Sequence, residues 1–73
     1  MTIGESIRKE RKQRGWTQAD LSAKADLPVI TISMYENGRF LPSALSLIAL
    51  ADAFGISLDK LVGRKVANGS AGT

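Results

Sequence analysis

Cysteine and histidine are both absent from this 73-residue chain. Without cysteine there is no disulfide and no thiolate metal site. Without histidine the commonest general base and the commonest imidazole ligand are missing together. No apolar run approaches the ~18 residues that a membrane span needs. The opening stretch, MTIGESIRKERKQRG, lacks the apolar centre of a secretory signal, so a cytoplasmic protein is the expectation.

What is present is ordinary for one small globular domain: 44% hydrophobic and 23% charged residues, with a net charge of +3. A domain this short buries only ~60% of the surface its unfolded chain exposes, so its core must be economical. Charge is unevenly spread. Arg8, Lys9, Arg11, Lys12 and Arg14 place five cations in seven residues. These fit a solvated helix face with Glu5–Lys9 and Glu10–Arg14 as i,i+4 pairs, or an electrostatic footprint for an acidic polymer. Charge alone favours the solvated face.

Periodicity and caps predict five short helices, an all-α domain. Ile3, Ile7 and Arg11 share a stripe over 3–14, and Gly15 suits a left-handed stop. Thr17 opens a second helix, with Asp20 at capping-box spacing. Leu21 and Ala25 point inward, and Trp16 is expected between the first two helices. Asp26 takes the following turn. Pro28 suits the start of a third helix running to Glu36. The β-branched run Val29-Ile30-Thr31-Ile32 has strand character, but it is short and flanked by strong helix signals. Asn37-Gly38 closes that helix. Ser43 caps a fourth over 44–54, with Ala44, Leu47, Ile48, Ala51 and Phe54 as its inward stripe. Ser57 caps a fifth over 58–62, with Leu58, Leu61 and Val62 inward. The small, polar residues 64–73 are expected to form a flexible C-terminal tail beyond a 1–63 domain.

A capped helix, a turn of about four residues and a second helix, TQADLSAKADLPVITISMYENG, is the pattern of a helix-turn-helix unit. The Arg-rich first helix, GWTQ, TIS-x-YENG and GISLDKL follow in order from Ile3 to Gly63. On these motifs the chain resembles the Cro/repressor-type helix-turn-helix family, also called the xenobiotic-response-element family. The resemblance implies a compact five-helix, lambda-repressor-like bundle. It also implies a repressor-like transcriptional regulator of bacterial or phage origin that binds double-stranded operator DNA, usually as a homodimer on a palindrome.

The same resemblance assigns site residues. Gln18, first in the second helix, matches a position that grips phosphate while touching a base edge; its amide carries both a donor and an acceptor. Thr17 and the free amides beside it favour phosphate as well. Arg11 and Glu36 match a structural ion pair between the first and third helices, which explains a cation on an apolar stripe. Asn37 and Arg39 match phosphate contacts, although Asn37 serves equally well as a helix-end cap. Ser43 is first a cap, with nearby amides able to clasp a phosphate.

Base contacts are implied for Gln18, Val29, Ile30, Ser33 and Met34. At 100° per residue Ile32 and Tyr35 face the core, while Val29, Ile30, Ser33 and Met34 face away. Three of those four outward residues are apolar, where the family often has Gln, Arg, Ser or Lys. One explanation is van der Waals readout of thymine methyls, with hydrogen bonding left to Gln18 and Ser33 and part of the specificity drawn from DNA shape. A second is a protein-interaction module, an anti-repressor or adaptor, using the apolar face. A third is a different helix rotation, with Val29 or Ile30 tucked against the second helix. Retention of Gln18, Asn37 and Arg39 favours the first, combined with some of the third.

An enzyme is the weakest reading: the serines lack a histidine partner, the carboxylates show no metal-ligand pattern, and the glycines form no phosphate-binding loop. Neither a cofactor nor a small-molecule effector is expected, and no membrane partner. Pairing through the C-terminal half, as the family implies, points to Ile56, Leu58, Leu61 and Val62, with Leu45 and Leu50 partly off the core stripe. The competing role for all of these is closure of the monomer core, the stronger role for Leu58 and Leu61. Such a dimer would be weak in solution.

Overall fold

The computed structural model describes residues 2–63. Among them are five helices and no strand: α1 (Ile3–Gln13), α2 (Gln18–Ala25), α3 (Val29–Glu36), α4 (Ala44–Phe54) and α5 (Leu58–Val62). The all-α, five-helix architecture expected from the sequence is the one observed. The proposed tail, 64–73, lies outside the described residues.

Side-chain oxygens start four of the helices. Thr2, Thr17, Ser43 and Ser57 each accept a backbone N–H from three residues on. Thr2 with Glu5 and Thr17 with Asp20 close reciprocal capping boxes, satisfying two amides that a helix start otherwise leaves unpaired. Pro28 is the N-cap of α3 and has no side-chain cap bond. Asp26 ends α2 in the left-handed conformation, φ 57°, as the turn requires. The β-branched run is helical because Ile32 and Tyr35, three residues apart, both reach the core.

α1 packs against α3, α4 and α5, α2 packs against α3 and α4, and α4 packs against α5. Ile7, Leu21, Ala25, Ile32, Tyr35, Leu50, Ala51, Phe54 and Leu61 form one buried cluster. The buried Ser6 hydroxyl donates to the Leu61 carbonyl at 2.6 Å and joins α1 to α5. Gly4 brings α1 down onto the end of α3: a Cβ there would lie 2.3 Å from the Tyr35 carbonyl oxygen.

The inward assignments in α4 and α5 need correction. In α4, Leu50 is fully buried, whereas Ala44 and Ile48 are exposed. In α5, Leu61 alone is buried; Leu58 is exposed and Val62 half-buried. Leu61 and Leu50 fill the monomer core and offer no surface for dimer contacts. α4 is apolar nearly all round, so its face is selected by α1, α2 and α5 packing on it rather than by its own pattern. Trp16 stacks on Phe54 of α4, with ring centroids 5.8 Å apart and planes within 14°.

Candidate nucleic-acid interface

α2 and α3 are joined by the short turn Asp26-Leu27-Pro28, which the Ser22 hydroxyl closes by donating to the Leu27 carbonyl. On α3, Ile32 and Tyr35 are buried inward. Outward stand Val29 and Ile30, 44% and 65% exposed, with Ser33 and Met34 half-buried. The alternative rotation, with Val29 or Ile30 tucked against α2, is therefore not the one adopted.

At the C-terminal end of α3 the Glu36 carboxylate is buried. Its Oε2 accepts from Arg11 Nε at 2.7 Å and its Oε1 from Arg11 Nη2 at 2.9 Å, a two-pronged fork. Oε1 also accepts from Gln18 Nε2 at 3.1 Å and, more loosely, from Arg8 Nε at 3.4 Å. One side chain thus ties α1, α2 and α3 together. Burial pushes the Glu36 carboxyl up, but hydrogen bonds from Arg11 and Gln18 and the charge of Arg11 outweigh it, and the net shift is downward. The same hydrogen bond raises the Arg11 guanidinium against its own desolvation. Arg11 Nη1 also donates to the Trp16 carbonyl at 2.9 Å and fixes the entry to α2.

The Arg11–Glu36 pair was legible in the sequence only through family resemblance. The parts played by Arg8 and Gln18 in the same cluster were not, since 28 and 18 residues separate them from Glu36. The basic run of α1 also divides. Arg11 turns inward, and Arg14 donates to Glu10 Oε1 at 2.9 Å and to the Phe54 carbonyl at 2.8 Å while lying over the Phe54 ring. These two cations hold the fold. Lys9 and Lys12 remain exposed.

Other assigned residues sit as follows. The Thr17 hydroxyl accepts the Asp20 N–H at 3.0 Å, and the Thr17 N–H donates to Asp20 Oδ2 at 2.8 Å. Asn37 is the C-cap residue of α3; its Nδ2 donates to Ser33 Oγ at 3.4 Å and its Oδ1 accepts from Arg8 Nη2 at 3.3 Å. Arg39 is exposed, and its side chain has no hydrogen-bond partner among the described residues. Ser43 caps α4 and joins a separate hydroxyl cluster with Ser46 and Tyr35. Gln18, Ser33, Asn37 and Glu36 are thus linked in one network, and Ser43 lies outside it. Ile56 packs against the core.

A short helix carrying a free outer face, braced by a second helix across a tight turn, defines a helix-turn-helix module. A family model described as helix-turn-helix matches residues 7–61. The chain belongs to this family, in its Cro/repressor-type branch. It is 38% identical over 65 residues to the immunity repressor protein of Bacillus phage phi105, covering 89% of this chain and 45% of that protein. It is 36% identical over 64 residues to the cryptic phage CTXphi transcriptional repressor RstR of Vibrio cholerae, covering 88% and 57%. The chain therefore spans about half the length of these two relatives. Among solved structures it is similar to the P22 c2 repressor in complex with a synthetic operator. That likeness has a TM-score of 0.80 and 31% identity, covering 89% of this chain and 98% of that one.

Proposed function

We propose that this chain is a transcriptional regulator of repressor type that binds a double-stranded DNA operator, with α3 in the major groove and α2 across the backbone. The observation that carries this reading is the outer face of α3. Val29, Ile30, Ser33 and Met34 stand on it, and the carboxamides of Gln18 and Asn37 lie beside it, both tied into the network around Glu36. The apolar members meet thymine methyls, and Gln18 and Ser33 supply the polar readout. Thr17, Gln18, Asn37 and Arg39 grip phosphates, and the amides at the start of α4 beside Ser43 add another contact. Likeness to phage repressors, and to a repressor solved with its operator, supports the same reading.

One such domain covers one half-site, so two copies spaced about one helical turn, ~34 Å, form the specific complex. With Leu50 and Leu61 buried, Leu45, Ile56, Leu58 and Val62 are the residues left for that pairing, and Leu45 is the most exposed of them. So few side chains bury little area, which supports association that is weak away from DNA.

Selection of binding sites from random duplex DNA tests the proposal. A palindromic, T-rich consensus is expected. Affinity should fall with salt by ~0.9 log units per log unit of salt for each phosphate neutralised. The exposure of Val29 and Ile30 also fits a protein-binding face. Salt-insensitive association, or none with any duplex, would favour that second reading.

A further inference from the structure

Arg8 has no assigned role beyond its place in the basic run, yet it bridges two groups that matter. Its Nε points at Glu36 Oε1, 3.4 Å away, and its Nη2 at Asn37 Oδ1, 3.3 Å away. We propose that Arg8 is a positioning residue for DNA binding: it couples the Asn37 carboxamide to Glu36, the carboxylate that also holds Gln18. This inference rests on the operator-binding reading above.

The chemistry of the partners fixes which way each carboxamide faces. A guanidinium can only donate, so the Asn37 atom turned to Arg8 must be its carbonyl oxygen. Its NH2 then lies on the other side, where one hydrogen goes to Ser33 Oγ, 3.4 Å away, and the second remains for a phosphate oxygen. A carboxylate can only accept, so the Gln18 atom turned to Glu36 must be its nitrogen. Gln18 consequently offers one remaining N–H and a carbonyl oxygen. The first suits a phosphate, and the second suits the amino group of adenine or cytosine. Swapping either amide end for end would place like against like: donor on donor at Arg8, acceptor on acceptor at Glu36.

A second consequence is electronic. The chain runs from carboxylate to guanidinium to amide carbonyl, and each bond polarises the next. A cation on Oδ1 makes the Asn37 N–H a better donor to an anion. The Arg8 side chain is 44% exposed, and its contacts sit at the long end of the hydrogen-bond range. Arg8 can therefore be changed without opening the core, which makes the coupling separable from folding.

Arg8→Lys keeps the charge but loses the fork that spans both acceptors. Duplex affinity is measured for the unsubstituted chain, Arg8→Lys, Asn37→Ala and the double variant, using the selected site. Each single variant is expected to weaken binding about three- to tenfold, the worth of one hydrogen bond. The double variant should bind no worse than the weaker single one, because the two act through one contact. Full affinity in Arg8→Lys, or losses that multiply, would overturn the proposal and leave Arg8 as a plain charge. In the free protein, Arg8→Lys should shift the Asn37 side-chain amide resonances and raise their mobility; unmoved Asn37 resonances would overturn it too. Failure of the unsubstituted chain to bind any duplex, with the Asn37 resonances still responding, would strike the operator reading and the DNA role of Arg8 while leaving the side-chain link intact.

Discussion

Glu36 and Arg11 face each other through two hydrogen bonds of 2.7 and 2.9 Å, although 25 residues separate them in the chain. The Glu36 side chain is fully buried and that of Arg11 is 11% exposed. This pair sets how α3 leans on α1, and therefore the attitude of the outer face. Burying two charges costs much of what their attraction returns, so the contribution is to geometry more than to net stability.

Breaking the pair from one side is a different matter. Glu36→Ala strands the Arg11 guanidinium and also removes the acceptor for Arg8 and Gln18. Breaking a buried pair typically costs ~3–5 kcal/mol, much of what a small domain possesses. Arg11→Met should cost less than Glu36→Ala, because Glu36 keeps two donors. Urea unfolding followed by circular dichroism gives both values, and the reverse order would contradict the arrangement around Glu36.

Acid should unfold the domain through the same carboxylate. Glu36 is held below its ordinary value of 4.5 in the folded state, and Asp20 and Glu5 are lowered by their cap hydrogen bonds to Thr17 and Thr2. A depressed folded pKa means the unfolded chain binds protons first. The stability these groups confer is complete above their unfolded values and is lost as pH falls through the folded ones. With no histidine, no side chain of ordinary pKa titrates between about pH 6 and 8. The urea midpoint is expected to be flat there and to drop below about pH 4.5; a midpoint that rises on acidification would mean that Glu36 is protonated at neutrality.

Gly4→Ala separates local preference from packing. Alanine favours a helix by ~1 kcal/mol over glycine. Here its Cβ would meet the Tyr35 carbonyl oxygen at 2.3 Å and the Glu36 carbonyl oxygen at 3.1 Å. Both are backbone atoms, so α1 and α3 must move apart. The net effect is expected to be destabilising by about 1–3 kcal/mol, as for overpacked cores. A thermal melt showing a gain would mean that the two helices separate freely.

Two variants on the proposed DNA face should behave differently. Met34→Ala is expected to relax preference at one base position, since one apolar contact is lost. Gln18→Ala should weaken binding to every duplex, because a phosphate donor is lost. Competition binding against a panel of single-base variants distinguishes them. Identical profiles would contradict the division of labour between α2 and α3.

Much of this architecture follows from local chemistry. Thr17, Ser43 and Ser57 accept the N–H groups that helix starts leave unpaired, and Asp26 and Gly55 tolerate the left-handed turns that stop α2 and α4. Those signals act over three or four residues, so they are written in order along the chain. The spacing of Ile32 and Tyr35 likewise placed the inward face of α3 and left Val29 and Ile30 outside.

Rotation of α4 and membership of the charge cluster were not written that way. Leu45, Leu47, Ile48, Leu50 and Ala51 ring α4 with apolar groups, so its own periodicity cannot say that Leu50 goes in and Leu45 stays 80% exposed. That choice belongs to the helices that pack on it. Glu36 likewise gathers Arg8, Arg11 and Gln18 from two other helices. A buried carboxylate must be met by whatever donors the folded chain brings within reach, and proximity across 18 to 28 residues is a property of packing, not of sequence order.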